Sequence, residues 1–281
     1  KPDDINIKNI KGWKNNNINR ISLGVQSFFD SDLELMNRSH NSSTASQAIE
    51  LIKDNFKNFS IDLIYGIPES SFDIWKKNID IGLKYDVPHI STYVLTVEPK
   101  TALIKLIEKN KIEEVSDIDQ KLQFEYVYDY LLSLGYVNYE FSSFAKPGYE
   151  CKNNVTYWNR GKYIGFGPSA HSFDGVERKW NISNNQKYIE KIKLNSIAYE
   201  SETLSETDIL NEIIMIGLRT SKGLDLDLIE SKFSNLNLEK LRQQIQLKIL
   251  DGVLVKTDNK LHPSRDYKFL TDGLASDLFI T

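Results

Sequence analysis

The feature that most constrains this chain is its alternation between two hydrophobic periods. Residues 20–26 (RISLGVQ), 60–65 (SIDLIY), 89–95 (HISTYVL) and 138–142 (NYEFS) place apolar side chains at every second position, the period of a strand. Between them, 43–54, 70–84 and 119–134 repeat at helical spacing, with Ser43 read as the N-cap of the first helix and Gly135 as the stop of the last. Strand–helix alternation predicts parallel strands joined by crossovers. The strands are nevertheless half polar: Ile21, Leu23 and Val25 oppose Ser22, Gly24 and Gln26, and Ile61 and Leu63 oppose Ser60 and Asp62. In a sheet covered on both faces, such polar side chains must meet one another, water or a ligand. A barrel, or part of one, with a polar interior opening at the carboxyl ends of its strands satisfies both patterns.

After residue 145 the pattern changes. Residues 146–184 are rich in Gly, aromatics, Asn and Ser, too long a stretch for an idle loop. Helical spacing returns over 205–219, 225–233 and 237–250, opened by a capping box from Ser205 to Asp208. A hairpin over 253–256 and 259–262 and a last helical stretch follow, which suggests a winged-helix-like appendage. The expected class is therefore α/β. A partial barrel occupies 1–145, a Gly/aromatic-rich segment and linker 146–200, and a helical, winged-helix-like domain 201–281.

Composition excludes several functions. The single cysteine, Cys151, can form no internal disulfide, which fits a reducing cytoplasm, and by itself cannot hold an iron–sulfur cluster. The net charge of −4 gives no electrostatic reason to expect nucleic acid or an anionic membrane. Within 237–281, seven Lys+Arg face six Asp+Glu, which argues against a winged-helix DNA-binding surface. No apolar run is long enough to cross a bilayer.

Several side chains stand out. Gln26, at the end of the first strand, can donate and accept at once, toward a ligand or toward local backbone. Arg38, in NRSH (37–40), can clamp a carboxylate, and His40 can add a donor or acceptor. Asp62 sits in an apolar strand and must be paired: with a ribose hydroxyl, with an amino group, or in a structural bridge to Arg20 or Arg38. Tyr157 and Trp158 can stack on a flat macrocycle, and His171 either ligates iron or makes an ordinary structural hydrogen bond.

The ordered set RISLGVQSF, NRSH, SIDLIYGIP, HISTYVLTVEP, NYEFSSFAKPGYEC, NNVTYW and YIGFGPSAHSF resembles the HemW-like radical-SAM haem chaperones, relatives of the oxygen-independent coproporphyrinogen III oxidases. The resemblance covers nearly the whole chain. It implies a partial TIM-like radical-SAM barrel and a [4Fe–4S] cluster held by a CxxxCxxC loop that binds S-adenosylmethionine (SAM). It also implies haem as cargo, a haem-acceptor protein as partner, and a cytoplasmic location, and it is compatible with peripheral membrane contact. Gln26, Arg38 and Asp62 match positions that hold SAM, and Thr96 and His171 match positions near the cofactors. Asn154, Tyr157, Trp158 and His171 are the haem candidates. The alternative activity is oxidative decarboxylation of coproporphyrinogen III.

Two departures stand out. The chain begins at Lys1 with no cluster motif, so it reads as a fragment lacking the first barrel strands and is expected to be unable to cleave SAM. The family's haem motif reads His-Asn-x-x-Tyr-Trp, but Asn153 stands at its first position, and Asn is a poor haem ligand. That leaves His171 or another group as a substitute.

Overall fold

Alternating apolar and polar residues produce the strands where the periodicity places them, and the helices fall between. The computed structural model describes residues 1–99, 101–233 and 238–280. It forms two compact units, 1–150 and 151–281.

The first unit runs α1 (Ile7–Asn15), β1 (Arg20–Gln26), α2 (Asp30–Leu35), α3 (Ser42–Lys53), β2 (Asn58–Tyr65), α4 (Phe72–Lys84), β3 (His89–Val94), α5 (Ala102–Glu108), α6 (Asp117–Ser133), β4 (Val137–Glu140) and β5 (Ser143–Ala145). The five strands form one sheet in the order β1-β2-β3-β5-β4. β1–β2 and β2–β3 are parallel, as strand–helix alternation requires.

The fifth strand departs from the sequence expectation. The segment read as a single strand over 138–142 stops at Glu140, and the chain returns as β5 between β3 and β4, antiparallel to both. The turn carries no Gly or Pro. It is pinned instead by Asn138, whose amide donates to the carbonyls of Glu140 (2.7 Å) and Ser143 (3.2 Å). A second correction concerns α3. Its N-cap is Asn41, which accepts from the Thr44 backbone N–H at 2.8 Å, whereas Ser43 lies inside the first turn. Gly135, at φ +82°, follows the end of α6.

One face of the sheet is apolar. Leu23, Val25, Ile61, Leu63, Ile90 and Phe144 lie on it, all essentially without exposure, together with Ile49 and Ile52 of α3, Ile79 of α4 and Phe124 and Val127 of α6. Burying each such side chain contributes about 1.5–3 kcal/mol, which fixes the register. The opposite face is left to the polar partners in the alternation.

The second unit runs α7 (Lys152–Trp158), β6 (His171–Phe173), β7 (Glu177–Asn181), α8 (Asn185–Lys193), β8 (Tyr199–Thr203), α9 (Glu206–Arg219), β9 (Leu224–Asp225), α10 (Leu226–Lys232), α11 (Glu239–Leu250), β10 (Leu254–Thr257), β11 (Lys260–Pro263) and α12 (Thr271–Asp277). The Gly- and aromatic-rich stretch thus carries α7 and two strands of an antiparallel sheet, β6-β7-β8. Ser205 and Asp208 form the capping box that opens α9. The hairpin β10–β11 pairs Leu254 with Pro263, and β9 adds to its edge. The helix expected over 237–250 is α11, with Asn237 itself outside the described residues. Leu210, Ile214, Leu218, Leu224, Phe233 and Leu261 centre the core of this part.

Candidate functional site

Strand register turns the polar face of the first unit into ordered rows. Ser22 lies beside Ser60, which lies beside His89; Gly24 lies beside Asp62, which lies beside Ser91, with Ser143 next in line. His89 is buried, and its Nε2 meets the Tyr139 hydroxyl at 2.8 Å. Burial, reinforced by the positive charge of Arg20, depresses its pKa to about 3, so the ring is neutral. Near it, Arg20 Nε, Asn58 Oδ1 and His89 Nδ1 are buried without a hydrogen-bond partner among the described residues.

Asp62 is the centre of the second row. Ser22 Oγ donates to its carboxylate oxygens at 3.3 and 3.4 Å. Burial pushes its carboxyl above the ordinary value, and the Ser91 and Ser22 hydroxyls and the Arg20 charge oppose this without cancelling it. Among the described residues Asp62 forms no ion pair with Arg20 or Arg38, so the structural-bridge alternative is not what this strand adopts. An underpaired carboxylate on a polar face fits a ligand hydroxyl or amino group.

Gln26 closes β1 with φ +71°, beyond a register slip that begins at Gly24. A Cβ at Gly24 would fall 2.6 Å from Gln26 Nε2, so the missing side chain is what lets the amide lie back over the strand. Since Gly24 is registered beside Asp62, the two polar groups share one face. His40 is buried, and its Nε2 meets the Val25 carbonyl at 3.0 Å, which ties its loop to the slip. His40 is thus an anchor rather than a free donor. Arg38 is exposed on that loop, after Asn37 at φ +53°. Thr96 is exposed two residues beyond β3. At the end of β2, Gly66 (φ +70°) donates its N–H to Gln123 Oε1 at 2.9 Å.

Gln26 and Asp62 therefore converge, Arg38 lies on the loop anchored at the same strand end, and Thr96 follows the carboxyl end of β3. Ser22, Ser91 and Ser143 were not singled out from the sequence. Period-2 alternation in HISTYV and the register supply their signal.

The remaining expected residues lie in the second unit. α7 carries Asn154, Tyr157 and Trp158 at i, i+3 and i+4, the spacing that puts them on one side of a helix. Tyr157 is exposed and meets Tyr163 edge-on, with ring centres 4.7 Å apart. The Trp158 ring lies under the Arg219 guanidinium at 5.5 Å, and Arg219 pairs with Asp272. His171 opens β6, exposed, 6.4 Å from the Trp180 ring. His171 and the α7 residues stand on separate elements. Asn153 is exposed on α7. Cys151 is buried, and among the described residues no three His, Cys, Asp or Glu side chains converge as a metal-binding set.

Comparison with known proteins follows the same lines. Residues 204–266 match the family described as HemN C-terminal domain. The haem chaperone HemW of Bacillus subtilis (strain 168) is 32% identical over 234 residues, which span 83% of this chain and 62% of that protein. The HemW of Lactococcus lactis subsp. lactis (strain IL1403) is 30% identical over 260 residues, 92% of this chain and 68% of that protein. The chain thus spans roughly two thirds of the length of these relatives. The structure of Escherichia coli coproporphyrinogen III oxidase (HemN), a radical-SAM enzyme, superposes with a TM-score of 0.79 over 99% of this chain and 68% of that one, at 18% identity. The fold is therefore the mixed α/β fold of that radical-SAM structure, and by sequence this chain belongs to the HemW family of haem chaperones.

Proposed function

We propose that this chain is part of a haem chaperone, a protein that binds haem and hands it to an acceptor protein with the help of SAM and a [4Fe–4S] cluster. The observation that carries this reading is the 30–32% identity to two curated haem chaperones along 83–92% of the chain. The coproporphyrinogen oxidase alternative has less behind it: a fold match at 18% identity and the HemN C-terminal domain match over residues 204–266.

On this reading the β1–β3 sheet is a partial barrel, and its polar face is one side of the SAM pocket. Asp62 accepts from an amino or hydroxyl group, Arg38 clamps the carboxylate, Gln26 bridges with its amide, and Thr96 contributes at the margin. A single thiolate cannot hold a cubane cluster, so the cluster must be held by residues outside this chain. When bound, the cluster and SAM supply the redox chemistry, while these residues supply position. Asn154, Tyr157, Trp158 and His171 are the haem-binding candidates, with the two aromatic rings offering stacking surface and His171 an imidazole in place of the one Asn153 lacks. The hairpin and helices after 205 make the winged-helix-like appendage. The reading places the protein in the cytoplasm with no nucleic-acid role; among the described residues no helix is long and apolar enough to cross a membrane.

The test is a haem titration of the full-length gene product and of Tyr157→Ala, Trp158→Ala and His171→Ala. Weaker binding in at least one variant supports the site, and unchanged binding in all three refutes it. In parallel, the cluster-reconstituted protein is given coproporphyrinogen III and SAM anaerobically. Substantial protoporphyrinogen formation would replace the chaperone reading with the oxidase one.

A further inference from the structure

Within the second unit, Trp158 lines a cavity of about 440 Å³, inside the range of about 300–1,000 Å³ typical of small-ligand pockets. Its walls are of two kinds. Ile213, Ile216, Leu224 and Leu228 supply an apolar surface beside the indole, and the indole is held in place by Arg219. The rim carries Lys222, Lys232 and Lys260. None of these three lysines is in an ion pair among the described residues, although Lys222 Nζ reaches Asn159 Oδ1 at 2.6 Å. The other cation of the lining, Arg160, is already neutralised by Glu212 at 3.0 Å. The one carboxylate of the lining, Asp225, is engaged as the N-cap of α10, accepting from the Leu228 N–H at 3.0 Å.

The local field is positive. His262 abuts Gly223, another lining residue, closely enough that a Cβ there would fall 2.5 Å from the imidazole. Burial, aided by the charges of Lys268 and Lys260, holds that histidine below its ordinary pKa. An apolar, aromatic-walled cavity rimmed by three unneutralised ammonium groups suits a ligand with a flat hydrophobic body and carboxylates at its edge.

We propose that this cavity seats the carboxylates of a flat aromatic ligand, with Lys222, Lys232 and Lys260 as their partners. The identity of that ligand rests on the haem reading: there, the carboxylates are the two propionates, and the macrocycle body runs along Trp158. The proposal adds to the α7 aromatics an electrostatic subsite built from α9, β9, α10 and β11.

The experiment compares metal-free protoporphyrin IX, a dicarboxylate, with its dimethyl ester in the same detergent buffer, by quenching of tryptophan fluorescence in the full-length protein. The rim is solvated, so each lysine is expected to contribute about threefold in affinity, and Lys222 with Lys260 about tenfold. The dicarboxylate should bind about tenfold more tightly than the ester. The difference should disappear in the Lys222→Ala/Lys260→Ala variant, return in Lys222→Arg/Lys260→Arg, and persist in Lys187→Ala on α8. Equal binding of acid and ester, a preference that survives the double alanine variant, or no binding of either porphyrin overturns the proposal. The two readings fail separately. Haem that binds wild type and double variant alike sinks the subsite and leaves the chaperone standing. A carboxylate preference without haem transfer sinks the chaperone and leaves the subsite standing.

Discussion

Two titratable residues, half-buried Asp62 and buried His89, report on the polar face in opposite directions. Asp62 has its carboxyl raised above the ordinary 3.8, so between that value and its folded value the native state holds a proton that the unfolded state releases. Stability therefore falls as pH rises through that window, and at pH 7, above the ordinary value, the raised carboxyl is a standing cost. Asp62→Asn should raise the thermal midpoint at pH 7 in the absence of SAM, and the gain should vanish below pH 3.8. A lower midpoint at pH 7 would mean that a stabilising ion pair holds Asp62. His89 runs the other way. Its folded value of about 3 lies below the ordinary 6.5, so the unfolded chain takes up a proton first as pH falls. Stability is lost at about 1.4 kcal/mol per pH unit across that interval. His89→Gln should flatten the pH dependence of urea unfolding between pH 6 and 4 relative to wild type; parallel curves would show a protonated His89. Sequence alone marked Asp62 as a carboxylate that needed a partner. It could not show that Ser22 and Ser91 stand beside it, since those neighbours come from register between strands. Nor could it show that Gln26 turns at positive φ over Gly24.

At the level of elements, the strands and helices with strong periodicity were legible, because half-buried elements must show their burial in the pattern. β1 begins and ends where the alternation does, and α9 opens on the capping box that its sequence spells. What escaped was set by tertiary contacts. β5 is three residues long, and its turn depends on Asn138 rather than on Gly or Pro. The cap of α3 was misplaced because Asn41, Ser42 and Ser43 are all capping residues, and only the backbone shows which one is extended. Gly217 is fixed by a contact between elements. A Cβ there would fall 2.6 Å from Leu224 Cα, so the glycine lets α9 approach β9 backbone to backbone. Gly217→Ala gains helix propensity of up to about 1 kcal/mol yet must push the strand away. Overpacking of about 1–3 kcal/mol should exceed that gain. The variant should unfold at lower urea, and an unchanged midpoint would show that the contact yields freely.

On the scale of the whole molecule, the chain forms two compact units. On the proposed reading the first offers a polar sheet face to a small zwitterionic cofactor. The second offers aromatic side chains on α7 and a cavity with a positive rim. Fold class and family were legible because a long ordered series of motifs is specific even where each motif is weak. The iron ligand was not, because Asn153 replaces the motif's histidine and His171 stands on another element. On the proposed reading, the full-length protein carries haem for delivery rather than making a porphyrin. The direct measurement is to load it with haem, mix it with a haem-free acceptor protein, and follow the Soret band of each after separation. Haem should leave the donor and appear in the acceptor faster than free haem exchanges through solution. Retention of haem on the donor, or arrival no faster than from solution, would contradict it.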